Sequence, residues 1–178
     1  RKSFLQATRQ VEKFDGREVV REATKRYERI LRDKGLSLSV EMADTGMSIV
    51  SDRSKVERIF QNVFNNAIKF TSQGEIRVKA HPTADHSNIE YEVTDTGIGI
   101  EKNKMDSIFE PFQQVDTSTH RSFSGLGLGL TVARRMAELI GGTLEIRSEA
   151  GKGTRVLMKF PSQASAAALL LADQRKYG

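Results

Sequence analysis

The chain has 178 residues, 38% apolar and 29% charged, the balance of one soluble globular domain with a sizeable core. Its net charge of +5 includes acids interleaved among the bases of residues 17–34, which reads as a solvated helix face and argues against a nucleic-acid partner. It contains no cysteine, which excludes disulfides and thiol chemistry, and no apolar run near the roughly 20 residues of a membrane helix.

In chain order, residues 1–10 read as a helix or linker left from a preceding element, because the first residue is Arg1 and the sequence reads as a fragment or processed product. VEKFD alternates like a short strand. From Arg17 to Arg32, Val20, Ala23, Tyr27 and Ile30/Leu31 recur at helical spacing, and Lys34-Gly35 is a stop. LSLSVEM (36–42) and MSIV (47–50) read as strands. Val56, Ile59/Phe60, Val63/Phe64 and Ala67/Ile68 then make a long helix with one buried face, with Asp52 as its N-cap.

EIRVKA (75–80) and NIEYEV (88–93) are strands around a polar loop expected to hold His81, Pro82 and His86. Short helical pieces and loop are expected over 101–124, and a helix over 127–140 stopped by Gly141-Gly142. TLEIRS and TRVLMKF form a hairpin across EAGKG. The domain is expected over 11–160, with 161–178 a tail or linker. Helices beside five to seven strands, without strict βαβ alternation, predict a two-layer α/β arrangement.

Four segments carry chemistry. In FNNAIKFT, Asn65, Asn66 and Lys69 interrupt an otherwise apolar helix, and buried amides destabilise a fold unless hydrogen-bonded. DTGIGI (95–100), GLGLGL (125–130) and GKGT (151–154) offer glycines for close backbone approach, the second just before a helix, where backbone amides make an anion site. None is a Walker A sequence, and the Rossmann pattern is not met.

With these motifs in this order, the chain resembles the ATP-binding catalytic domain of sensor histidine kinases, within the superfamily that includes gyrase B, Hsp90 and MutL. NVFNNAIKFT looks like the N box, DTGIGI the G1 box, FEPF (109–112) the F box, GLGLGL the G2 box and GKGT the G3 element. The resemblance implies a two-layer α/β sandwich of the Bergerat type, a mixed sheet packed on helices, with ATP and Mg2+ as cofactors.

It also implies roles. Asn66 would be a magnesium ligand, an amide oxygen suiting a hard cation. Asn62, one turn earlier, would support the metal or its waters, and Lys69 would reach a phosphate. Asn62 stands where the gyrase-like ATPases carry a water-activating glutamate, which favours phosphoryl donation over hydrolysis. Asp95 would accept from the exocyclic amine of adenine, since an ionised carboxylate only accepts. Gly97 and Gly99 would let the backbone pass the base, and Thr154 would assist.

Residues 105–125 would form a lid, anchored by Phe109 and Phe112, with Arg121 contacting terminal phosphate. Gly125, Leu126, Gly127, Leu128 and Gly129 would bring backbone to the phosphates. Ser124 stands where a glycine is common, and Leu126 where a small or polar residue often precedes GLGL. His81, His86 and His120 are too scattered for a metal set and lack the HExxxP-type context of a phosphoacceptor.

The implied partners are a dimerisation and histidine phosphoacceptor domain of the same parent protein, and a response regulator receiver domain. The piece is expected to be monomeric, cytoplasmic and free of membrane contact, whether or not its parent is membrane-anchored. Two other readings stay open: a nucleotide-gated interaction module with little catalysis, and a related ATPase or serine kinase.

Overall fold

The structure, a computed structural model, describes residues 10–105, 108 and 126–166. The expected N-terminal helical stub, Phe109, Phe112, His120, Arg121, Ser124, Gly125 and the tail beyond 166 lie outside the described residues.

Strand β1 (Val11–Asp15) leads into helix α1 (Gly16–Asp33) through an N-cap, the Arg17 backbone N–H donating to Asp15 Oδ1 at 2.9 Å. Val19, Val20, Ala23 and Leu31 form the buried stripe of α1, and Gly35, at φ 65°, ends it. Strands β2 (Ser37–Met42) and β3 (Ser48–Asp52) follow. Helix α2 (Arg53–Phe70) starts where Asp52 accepts from the Lys55 backbone N–H at 3.2 Å. Strands β4 (Glu75–Pro82) and β5 (Asn88–Asp95), short helix α3 (Lys102–Met105), helix α4 (Leu126–Leu139) and strands β6 (Thr143–Glu149) and β7 (Gly153–Pro161) complete the described elements.

The main sheet has the order β2-β4-β5-β7-β6, with β2 parallel to β4 and the other pairs antiparallel; β1 and β3 form a separate antiparallel pair. The predicted mixed sheet packed on helices is therefore present. Period-two alternation turns Ile76, Val78 and Ala80, then Ile89, Tyr91 and Val93, then Val156, Met158 and Phe160, toward one apolar core shared with α1, α2 and α4. Aromatic rings tie the layers together. Tyr27 meets Phe64 edge-on at 5.7 Å, Phe60 lies 5.9 Å from Phe64 and 5.7 Å from Tyr91, and Tyr91 lies 5.9 Å from Phe160. The buried Tyr91 hydroxyl donates to the Gly16 carbonyl at 2.8 Å.

Two boundaries differ from expectation. His81 and Pro82 belong to β4 and not to the following loop, because pairing with β5 continues through Glu90 and Ile89. Ser162 is buried, forms a bridge with Ile49 and donates from Oγ to the His86 carbonyl at 2.5 Å, so ordered packing extends past Pro161. No helix among the described residues is long and apolar enough to cross a membrane.

Candidate functional site

The C-terminal turns of α2, the first turns of α4 and the adjoining ends of β5 and β7 enclose a cleft. Val63, Ala67 and Phe70 from α2, Val93 from β5, Ile100, Leu130 from α4 and Val156 from β7 supply apolar walls. Asn66, Asp95 and Thr154 supply the polar groups. Mostly apolar walls with a few placed polar groups are the usual form of a small-molecule site.

Helical spacing sorts the amides of α2. Asn65 is exposed, whereas Asn66 is half-buried and turned to the cleft. The Asn66 Nδ2 atom is buried and has no hydrogen-bond partner among the described residues, an arrangement that costs stability. It lies under the start of α4: a Cβ at Gly129 would sit 3.6 Å from Nδ2 and 3.8 Å from Oδ1. Asn62, one turn back, is half-buried and outside the cleft wall. Lys69 is exposed, its ammonium 5.3 Å from the centre of the Phe70 ring, so it stands outside the wall that Phe70 lines.

Asp95 ends β5 on the inward parity of Ile89, Tyr91 and Val93, and is 7% exposed. Burial, the largest influence, pushes its carboxyl above the usual value. Hydrogen bonds from the Gly97 and Thr154 backbones pull the other way, as does the Thr71 hydroxyl. The Gly97 N–H bond to Oδ1 is 2.8 Å long. Thr71 Oγ1 is itself buried and without a well-aligned partner among the described residues.

The glycine loops are pressed backbone to backbone around this carboxylate. Gly99, at φ 66°, would put a Cβ 2.0 Å from the Glu149 carbonyl oxygen, and Gly153, at φ 107°, would put one 1.9 Å from that of Asp95. No side chain fits at either position. The Gly151 N–H donates to the Ile98 carbonyl at 2.7 Å, locking the β5 loop to the β6–β7 turn.

The structure thus gathers Asn66, Asp95, Gly97, Gly99, Gly129 and Thr154 at one cleft. Leu126, Gly127 and Leu128 form the backbone of the first turn of α4, while Gly125 and Arg121 lie outside the described residues. Sequence reasoning missed Thr71 and Ser148. Ser148 Oγ lies 2.8 Å from Thr154 Oγ1, donates to the Gly153 carbonyl at 2.8 Å and accepts from the Ile100 N–H at 2.9 Å. Its signal was its parity: a hydroxyl on the inward side of TLEIRS, in step with Leu144 and Ile146.

The residues fit a magnesium nucleotide. Asn66 lines the cleft with a buried Nδ2 that has no partner among the described residues and can donate to a ligand acceptor, while its Oδ1 is of the type a hard cation takes. The start of α4 adjoins it, and backbone N–H groups of a first helical turn have no partner within the helix.

A family model described as histidine kinase-, DNA gyrase B- and HSP90-like ATPase matches residues 51–164. The autoinducer 2 sensor kinase/phosphatase LuxQ of Vibrio cholerae is 39% identical over 155 residues, 85% of this chain and 18% of that protein. The LuxQ of Vibrio parahaemolyticus is 37% identical over 140 residues, 76% of this chain and 16% of that protein. The virulence sensor protein BvgS of Bordetella bronchiseptica is 36% identical over 134 residues, 73% of this chain and 11% of that protein. The chain therefore spans less than a fifth of these curated relatives' length.

Among solved structures, full-length ShkA in complex with AMPPNP superposes with a TM-score of 0.73 at 25% identity, covering 88% of this chain and 32% of that one. Histidine kinase ThkA in complex with the response regulator TrrA gives 0.70 at 21% identity, covering 86% of this chain and 42% of that one. Family match, curated relatives and fold agree with the cleft. The chain belongs to the histidine kinase-, DNA gyrase B- and HSP90-like ATPase family, as an ATP-binding catalytic domain of the histidine kinase type.

Proposed function

We propose that this domain binds ATP with magnesium and presents the γ-phosphoryl group to a histidine on a separate dimerisation and phosphoacceptor domain of the same parent protein. A receiver-domain aspartate then takes the phosphoryl group. The observation that carries the proposal is the Asn66 amide, its Nδ2 buried without a partner among the described residues, beside Gly129 and in the same cleft as the Asp95 carboxylate. AMPPNP bound by the similar ShkA, and the response regulator bound by the similar ThkA, support the same reading.

Each residue has one task. Asp95 accepts from the exocyclic amine of the base and so orients it between the apolar walls. Asn66 holds the metal by its amide oxygen, with Asn62 supporting the metal or its waters from one turn away. Magnesium, when bound, supplies neutralisation of the triphosphate charge. The first turn of α4, with Gly125, Leu126, Gly127, Leu128 and Gly129, offers backbone N–H groups to the phosphates. Lys69, beside the cleft wall, and Arg121 supply further positive charge. Phosphoryl transfer then needs positioning and charge stabilisation more than covalent participation by the protein. The domain acts as a cytoplasmic monomer.

Calorimetric titration of the 178-residue chain with ATP and GTP, each with and without magnesium, tests the reading. Saturable ATP binding, tightened by magnesium and much weaker for GTP, is expected. Absence of ATP binding would overturn it in favour of an interaction module.

A further inference from the structure

The registers of β5, β7 and β6 place Asp95 opposite Thr154, and Thr154 opposite Ser148, in one cross-strand row at the cleft end of the sheet. Ser148 closes that row, is not itself part of the cleft wall and makes no bond to Asp95 described above. A serine hydroxyl has one proton and two lone pairs, so the three contacts of Ser148 can be assigned by elimination. The Gly153 carbonyl only accepts, so Ser148 donates its proton there, at 2.8 Å. The Ile100 N–H only donates, so it fills one Ser148 lone pair, at 2.9 Å. The remaining contact, to Thr154 Oγ1 at 2.8 Å, is then satisfied only with Thr154 as donor. This is the assignment that leaves every group in the cluster paired.

We infer that Ser148 is a positioning residue for nucleotide selectivity: by taking the Thr154 hydroxyl proton, it leaves Thr154 as an acceptor at the cleft, beside the acceptor Asp95. The inference rests on the proposed ATP site. At the six position of the purine, two neighbouring acceptors pair with both N–H groups of adenine's exocyclic amine and repel the oxo group that guanine carries there. Asp95 alone sets one contact, and Ser148 fixes the polarity of the second. A free Thr154 hydroxyl could rotate and donate to guanine's oxygen. Polarity set by a second hydroxyl is how a buried polar row rejects the wrong partner, since a mispaired group is left unsatisfied.

The test is calorimetric titration with ATP and with GTP of the wild-type chain and of Ser148→Ala, Ser148→Thr, Thr154→Val and the Ser148→Ala/Thr154→Val pair. Ser148→Ala should weaken ATP binding about five- to tenfold, leave GTP binding unchanged or tighter, and so reduce the preference by about tenfold. Ser148→Thr should restore it. In the Thr154→Val background, Ser148→Ala should change the ratio no further, the non-additivity expected of a residue acting through its neighbour.

Equal weakening of ATP and GTP by Ser148→Ala, or an undiminished effect in the Thr154→Val background, would overturn the inference while leaving the ATP site standing. Failure of the wild-type chain to prefer ATP would overturn both. Should circular dichroism find Ser148→Ala unfolded, Ser148→Cys decides: a weakly accepting thiol must lower the ATP-over-GTP ratio, and an unchanged ratio sinks the idea.

Discussion

Strand β5 presents Ile89, Tyr91 and Val93 to the core and then, on the same parity, Asp95; helix α2 does likewise with Phe60, Val63 and Phe64 and then Asn66. The first stretch of each element meets rings and methyl groups, and its one buried hydroxyl, on Tyr91, is paired with the Gly16 carbonyl. The second stretch buries a carboxylate whose proton affinity is raised by that burial, and an amide and a hydroxyl with no aligned partner among the described residues. One end of the sandwich is built for stability. The other buries polar groups that the described residues leave incompletely paired, as binding sites commonly do.

That contrast is broken most strongly at the aromatic end. Phe60 is fully buried between Phe64 and Tyr91, so Phe60→Ala should lower unfolding free energy by roughly 3–5 kcal/mol, measured by denaturant titration. Molecules still folded should keep ATP affinity, since Phe60 lines no part of the cleft. A folded Phe60→Ala protein unable to bind ATP would show that the two ends are not separable.

Asp95→Asn inverts the pattern. Losing a charged acceptor for the base should weaken ATP binding by about 10- to 100-fold, the range for a hydrogen bond to a charged group. Stability should move by less than about 1 kcal/mol, because removing a buried charge offsets the bonds from Thr154 and Thr71 that the second oxygen gives up, and the amide oxygen still accepts from the Gly97 N–H. Melting and calorimetry on the same sample check both halves.

The pH dependence separates the ends again. The Asp95 carboxyl is raised above its usual 3.8, so between that value and its folded-state value the native chain binds more protons than the unfolded one. Its contribution to stability therefore grows as pH falls, while its ability to accept from an amine is lost. Asp15 and Asp52 behave oppositely. Asp15 is lowered chiefly by its hydrogen bond from Arg17. Burial raises Asp52, but bonds from Lys55 and Ser54 outweigh it. Their stabilisation is complete above 3.8 and lost as pH falls below it toward their depressed values. ATP affinity should thus decline at a pH where circular dichroism still reports a folded domain. Coincident loss of both would contradict the assignment.

Much of the architecture was readable because it depends on local order. The Asp52 cap and the spacing from Val56 to Ile68 define α2, and alternation defines β4, β5 and β7. Asn66 was visible as a polar group breaking the period of α2, and Asp95 as the acid that opens DTGIGI. What stayed hidden depends on register and side-chain direction. Nothing within TLEIRS says that Ser148 faces Thr154, because that follows from β6–β7 pairing and the turn between them. Nothing in KFT says that the Lys69 ammonium lies over Phe70 and outside the cleft wall. The extension of β4 through Pro82 likewise needed the partner strand.

The smallest expected effect on stability tests the contrast most sharply. Asn66→Ala deletes a buried donor that has no partner among the described residues, so the packing lost against Gly129 is offset by removal of an unsatisfied group. The unfolding free energy should change by less than about 1 kcal/mol, in contrast to the large cost at Phe60 on the same helix. The magnesium enhancement of ATP binding should nevertheless disappear. Asn65→Ala, on the exposed face one residue earlier, should alter neither quantity. If Asn66→Ala instead destabilised the domain as much as a core truncation, the amide would be holding the fold together, and the proposed division between a satisfied core and a waiting site would fail at its central residue.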